Sequence, residues 1–189
     1  MQLDGLKVAV LVTDGYEPSE LTEPIRALRE AGAEPTIVSD HDGQIKGKTD
    51  ADLATVDVTL DTARPEDFAA LVLPGGVKNP DTMRQNQRGV AFVRHFADAG
   101  KPIAAICHAP WMLVEADVVR GRRVTSYPSL KTDLRNAGAD WVDEEVVTDQ
   151  GIVTSRTPKD LPAFNAKMVE EFAEGTHDRR ATAGTATAS

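Results

Sequence analysis

The chain carries a single cysteine, Cys107, in 189 residues. An internal disulfide is therefore excluded, and this usage fits a reducing compartment, so a cytoplasmic location is expected. Metal-ligand spacing is also missing. His41, His95, His108 and His177 are scattered along the chain. The neighbour pair Cys107–His108 is poor geometry for a zinc site, so neither metal nor cofactor is expected. No apolar run approaches the length of a membrane span. The first residues, MQLDGLKVAVLV, place no basic region ahead of a long apolar stretch, so no signal peptide is expected. Positive charge is scarce, and the net charge of -9 argues against nucleic acid as the main partner. The short basic cluster Arg120–Arg123 holds a turn glycine and reads as a solvated loop. Internal repeats and a domain linker are absent too. The length suits one domain with a real core.

What is present is an alternation of apolar runs and amphipathic stretches. Lys7–Val12, KVAVLV, reads as a strand buried on both faces. The turn-rich loop Thr13–Ser19 follows, and Glu20–Ala31 has helical spacing at Leu21, Ile25, Leu28 and Ala31, with Gly32 as its stop. Pro24 falls within the first turn or so of that helix, where proline is tolerated. Glu34–Ser39 is a second strand. Asp40–Leu60, with turn signals at Asp42-Gly43 and Gly47, reads as a β excursion or hairpin. Ala69–Leu73 is a third core strand, ending in Pro74-Gly75-Gly76. Helices are expected over Asn79–Gln85 and Gly89–Ala99, and a fourth strand over Pro102–Ile106. Late strands at Trp141–Val142, Val146–Thr148 and Ile152–Ser155 precede a last helix, Asp160–Glu174. The end, Thr176–Ser189, has no large apolar residue to bury and reads as a disordered tail behind a domain over residues 1–175.

The chain is organised around AAICHAP, Ala104–Pro110. Here Cys107 stands where a strand turns into a helix, Trp111–Ala116. Such a turn lifts a side chain out of the sheet and needs small residues two positions either side, which Ala105 and Ala109 supply. The helix N-terminus favours negative charge, so a lowered thiol pKa is expected. A free cysteine seen without context is more often a small buried hydrophobe. The strand–Cys–His–helix setting favours a nucleophile.

Two further loops follow strands in the same way, and open α/β sheets bind ligands beyond their strand ends. Glu17 lies in the first, where a functional carboxylate could sit, although a glutamate there is usually a surface charge. The pair Gly75-Gly76 lies in the second. It exposes backbone N–H groups as a candidate oxyanion hole, whereas alone it reads as a tight turn. Glu17, the glycine pair and Cys107 together make a site.

Five stretches, in order, resemble one family: TDGYEPSEL (Thr13–Leu21), ALVLPGG (Ala70–Gly76), KPIAAICHAP (Lys101–Pro110), TSYPSLKTDLRNAGA (Thr125–Ala139) and TSRTPKDLPAF (Thr154–Phe164). They look like the PfpI-type intracellular proteases, within the superfamily of the Parkinsonism-associated deglycase and the class I glutamine amidotransferase fold. The resemblance runs from about Lys7 to Glu174. It implies an α/β, single-domain three-layer sandwich, flavodoxin-like, with a mainly parallel central sheet flanked by helices. It implies Cys107 as nucleophile, Glu17 as the acid that hydrogen-bonds it, and His108 as the neighbouring histidine. Gly76 and the N–H of His108 match the oxyanion hole, and Tyr127 matches a tyrosine lining the pocket. Asp81 falls near an acidic position that reaches the histidine from a neighbouring subunit, with Asp where Glu is common. A homodimer or hexamer is implied.

Physically, a carboxyl against a thiolate should be protonated and able to donate to it. Cys107 and His108 are sequence neighbours, so a direct thiolate–imidazolium pair is not guaranteed, and His108 can instead shuttle protons. These residues suit addition of a thiolate to reactive carbonyls, as a glyoxalase III or deglycase, or peptide hydrolysis by a Cys–His–acid triad. The superfamily is also tied to stress tolerance. The non-enzymatic alternative is a redox-responsive stress protein or chaperone that senses oxidants through Cys107.

Overall fold

Alternate residues of the first strand, β1 (Lys7–Leu11), enter different cores. Ala9 and Leu11 pack into one apolar cluster, Val8 and Val10 into the other. Such a strand must be covered on both faces, which is why it reads as an unbroken apolar run. The structure is a computed structural model and describes residues 2–177.

A seven-stranded sheet forms the middle layer. Its members are β1, β2 (Glu34–Ser39), β5 (Val58–Thr59), β6 (Ala70–Leu73), β7 (Ile103–Ile106), β10 (Val146–Asp149) and β11 (Ile152–Ser155). Their spatial order is β10-β11-β7-β6-β1-β2-β5. All neighbours run parallel except β10 against β11. Two short ribbons stand outside it. The hairpin β3 (Gln44–Lys46) with β4 (Leu53–Thr55) is antiparallel, and β8 (Arg123–Val124) pairs with β9 (Asp140–Trp141).

Helices cover the two faces. One face packs Met83 of α2 (Lys78–Met83), Phe92 and Phe96 of α3 (Gln87–Asp98), Met112 of α4 (Pro110–Glu115) and Leu134 of α5 (Lys131–Asn136). The other packs Leu21 and Leu28 of α1 (Pro18–Glu30) with Phe164, Met168 and Phe172 of α6 (Leu161–Glu174). The expected three-layer sandwich is thus the observed one.

Two local expectations change. Helix α1 begins at Pro18, so Pro24 is a buried interior residue rather than a first-turn one. A proline there leaves the carbonyl of Glu20, four residues back, without its helical donor. The expected tail begins too early, because Thr176 and His177 belong to the folded body, with the His177 N–H donating to the Gly100 carbonyl at 2.8 Å. The remainder of that tail, 178–189, lies outside the described residues. Among the described residues no helix is long and apolar enough to cross a membrane.

The chain leaves β1 toward β2 on one side and returns, through β6, to the other side of β1. This reversal opens a crevice at the carboxyl ends of β1 and β6, the place where doubly wound sheets bind ligands. Cys107 ends the next strand, β7.

Candidate active site

Cys107 has φ 65°, in the left-handed region that non-glycine residues seldom occupy. Holding it there costs of order 1–3 kcal/mol. The backbone around it supplies the restraint. Its N–H donates to the Ser155 carbonyl at 3.0 Å, and its carbonyl accepts from the Tyr127 N–H at 2.8 Å. Ala105 and Ala109 are fully buried on either side, as the tight turn requires.

The carboxyl beside the thiol belongs to Glu20, which corrects the expectation for Glu17. Glu20 lies in the first turn of α1 and is fully buried. It faces the Cys107 side chain and the backbone N–H groups of Gly75 and Gly76. These groups only partly offset the cost of burying its charge. Burial foremost, together with the Glu17 carboxylate, pushes the Glu20 carboxyl up to about 7, although the bond with Cys107 opposes the rise. Near neutral pH it can therefore hold a proton or release one. Glu17 precedes the same helix, one turn earlier, and its carboxylate accepts from Lys48 Nζ at 3.0 Å. It lines the rim of the cleft rather than touching the sulfur.

The thiol does not follow the sequence expectation of a lowered pKa. Burial and the charge of Glu20 push it up. Backbone N–H groups of Gly76 and His108 aim at the sulfur and favour the thiolate. The repulsion vanishes once Glu20 takes the proton, so the pair shares one negative charge more easily than it bears two. The helix behind Cys107 is only six residues long, and its dipole does not outweigh this burial.

His108 turns toward its neighbour, with Nδ1 at 3.1 Å from Sγ. Its other ring nitrogen, Nε2, meets the Ser129 hydroxyl at 3.3 Å. The ring stacks on Tyr127, centroids 4.4 Å apart, and packs against Trp111. Burial lowers the His108 pKa, so the ring is neutral near pH 7. A neutral imidazole donates at one nitrogen and accepts at the other, and Ser129 can serve either state.

The glycines are required by space. A Cβ on Gly75 would stand 2.7 Å from both the Cys107 Cβ and the Ile106 carbonyl oxygen, and would run into Glu20 Oε2. Gly76 has φ 80°, and its Cβ would lie 2.5 Å from the Gly15 carbonyl oxygen. Buried Asn79 holds this loop against β1. Its Oδ1 accepts from the Thr13 N–H at 2.8 Å, and its Nδ2 donates to the Pro74 and Gly75 carbonyls at 2.9 and 3.0 Å.

These groups face a cleft of about 1030 Å³ whose far wall is the β3–β4 hairpin, with Lys46, Gly47 and Lys48. Tyr127 lies at its edge, 39% exposed. Asp81 does not join the site within this subunit. It is exposed on α2, and His108 already faces Cys107 and Ser129.

Glu20, Ser129 and Asn79 escape a reading of the sequence. Glu20 carries a signal, since it repeats at four-residue spacing with Pro24 and Leu28 and so falls on the buried stripe of α1. Ser129 and Asn79 carry none.

A strained cysteine where a strand turns into a helix, beside the switch of a doubly wound sheet, places the chain among α/β proteins with a candidate site at their strand ends. The chain belongs to the DJ-1/PfpI family, whose model matches residues 6–171. It is 47% identical over 165 residues to the Escherichia coli protein named protein/nucleic acid deglycase 2, covering 86% of this chain and 95% of that one. It is also 47% identical to general stress protein 18 of Bacillus subtilis, over 87% of this chain and 96% of that one. Among solved structures, DJ-1beta of Drosophila melanogaster superposes with a TM-score of 0.83 at 31% identity, over 89% of this chain and 91% of that one.

Proposed function

We propose that the chain is a cysteine enzyme acting on small reactive carbonyls and on their adducts with amines, in the manner of a glyoxalase III or deglycase. The observation that carries this reading is the company of Cys107: the His108 ring at 3.1 Å on one side and the fully buried carboxyl of Glu20 on the other. Carbonyl addition needs a thiolate and one nearby proton, and this pair supplies both. Peptide hydrolysis needs a third group that orients the histidine and stabilises its charge. Within this subunit that place, at Nε2, is taken by a serine hydroxyl.

Methylglyoxal is one such substrate. The Cys107 thiolate bonds to the aldehyde carbon, and the carbonyl oxygen takes the proton of Glu20, held near the N–H groups of Gly76 and His108. His108 takes the hydrogen on that carbon while the adjacent ketone oxygen gains a proton, giving an enediol; His108 then returns its proton to the ketone carbon as the first oxygen loses its own, leaving a thioester. Water then splits the thioester, releasing lactate and the thiol. With a hemiaminal, the sulfur–carbon bond replaces the carbon–nitrogen bond, and the departing amine takes the proton from Glu20. The test is incubation with methylglyoxal in thiol-free buffer, following lactate, beside Cys107→Ser and a fluorogenic peptide. Lactate from the parent alone supports the reading. Peptide cleavage without lactate replaces it with the protease. Neither product, with Cys107 still rapidly alkylated at neutral pH, replaces it with an oxidant-sensing role.

Asp81 keeps the role that the resemblance implies, as an acid arriving at the His108 of another subunit in a homodimer or hexamer. Its exposure on α2 leaves it free to do so.

A further inference from the structure

Away from the cleft, the last turn of α6 collects negative charge. Glu170, Glu171 and Glu174 stand there, at the helix end that already carries a partial negative charge. Lys167 pairs with Glu170 at 2.7 Å. Glu171 is different, being only 6% exposed. Gly175 then ends the helix with φ 80°, and the chain turns back. The His177 N–H is fixed on the Gly100 carbonyl at 2.8 Å, which aims its ring at Glu171.

Glu171 Oε2 and His177 Nε2 meet at 3.2 Å. Both atoms are shielded from solvent, and neither is aligned for a hydrogen bond with the other or with any other group. Donors bound to one zinc ion at about 2.0–2.2 Å each lie roughly 3.3 Å apart at a tetrahedral angle. The donor atoms of Glu171, Glu174 and His177 all fall within 4.8 Å of one another. Among the described residues they are the one group of metal-ligating side chains so gathered.

We propose that Glu171, Glu174 and His177 form a binding site for a divalent transition metal, with zinc as the probe. Two carboxylates and one imidazole are a donor set that such ions take, and a fourth position remains for water. The ion would offset the like charges at the helix end and tie the chain beyond Gly175 to α6. The sequence hides the site, because the helix ends at Glu174 and His177 lies beyond it. It converges only through the turn at Gly175.

The test is zinc titration by calorimetry on the full chain carrying Cys107→Ser, which removes the thiol as a competing ligand. We expect one saturable site. Adding Glu171→Gln, Glu174→Gln or His177→Ala should each weaken it by roughly tenfold or more, and the zinc-dependent rise in melting temperature should shrink with it. Glu174 is exposed, so its variant stays folded and decides the matter if Glu171→Gln does not fold. No saturable binding, or affinity unmoved by Glu174→Gln and His177→Ala, overturns the proposal.

Discussion

Replacing Glu20 by glutamine removes the one carboxyl that touches Cys107, and the structure sets how large the effect should be. The Glu20 carboxyl rises from 4.5 to about 7 through burial. At about 1.4 kcal/mol per tenfold this amounts to about 3 kcal/mol. The sign follows from proton counting. Between those two values the folded protein holds a proton that the unfolded chain has lost. Stability is therefore greatest below the unfolded value, falls as pH rises, and is fully reduced above about 7. Glutamine carries no charge at any pH, so Glu20→Gln should lack this slope. Urea unfolding from about pH 4 to about pH 8 would follow it. Relative to the variant, the parent should lose about 3 kcal/mol across the range. Glu17→Gln removes only a lesser cause of the rise, so it should keep most of the parent's slope. Turnover of methylglyoxal by Glu20→Gln should drop by roughly 10²–10⁴, the usual contribution of a positioned acid or base. Parallel stability curves, or a flattened curve for Glu17→Gln instead, would refute the assignment of the acid to Glu20.

Gly75→Ala should lower the melting temperature and abolish turnover together, because its methyl collides with Glu20 and Cys107; overpacking of this kind costs about 1–3 kcal/mol, and an unchanged thermal scan would contradict the crowding. Asp81→Ala and His108→Ala should each lose turnover alone, yet regain part of it when subunits of the two are mixed and allowed to exchange, since one mixed site is then intact. Failure to recover on mixing would remove Asp81 from the site.

The fold is legible because buried parallel strands leave a strong trace. KVAVLV, ALVL and IAAI are short apolar runs bounded by turn residues, and each is a central strand. The elbow is legible for a related reason. A cysteine flanked by alanines, between such a run and a helix, stands where a strand must turn sharply and small neighbours let it do so. What the chain shows only in part, through the spacing of Glu20 with Pro24 and Leu28, is direction around a helix. Glu17 and Glu20 are separated by one turn, and only the placement of α1 against the sheet sends Glu20 inward and leaves Glu17 on the rim. The pKa of Cys107 is hidden for the same reason. A helix terminus is visible in a sequence, whereas the burial that opposes it, and after it the Glu20 carboxyl, come from packing of distant segments. The polar ties of Asn79 and Ser129 likewise exist only once α2 and the turn before α5 have docked.

The far wall of the cleft has a consequence for how such a protein can diversify. The hairpin β3–β4 stands outside the central sheet. It is joined to the β1 loop through the Gly15 N–H on the Lys46 carbonyl, the Lys46 N–H on Asp14 and the Tyr16 hydroxyl on the Asp52 carbonyl. Cys107, Glu20 and the glycine pair come from the turn after β7, from α1 and from the loop after β6, so under the proposed function the reacting groups and this wall of the cleft lie on separable pieces of polypeptide. Exchange of the hairpin's exposed side chains would retarget the enzyme while its engine stayed intact, a modular arrangement through which one scaffold can acquire new preferences by small steps.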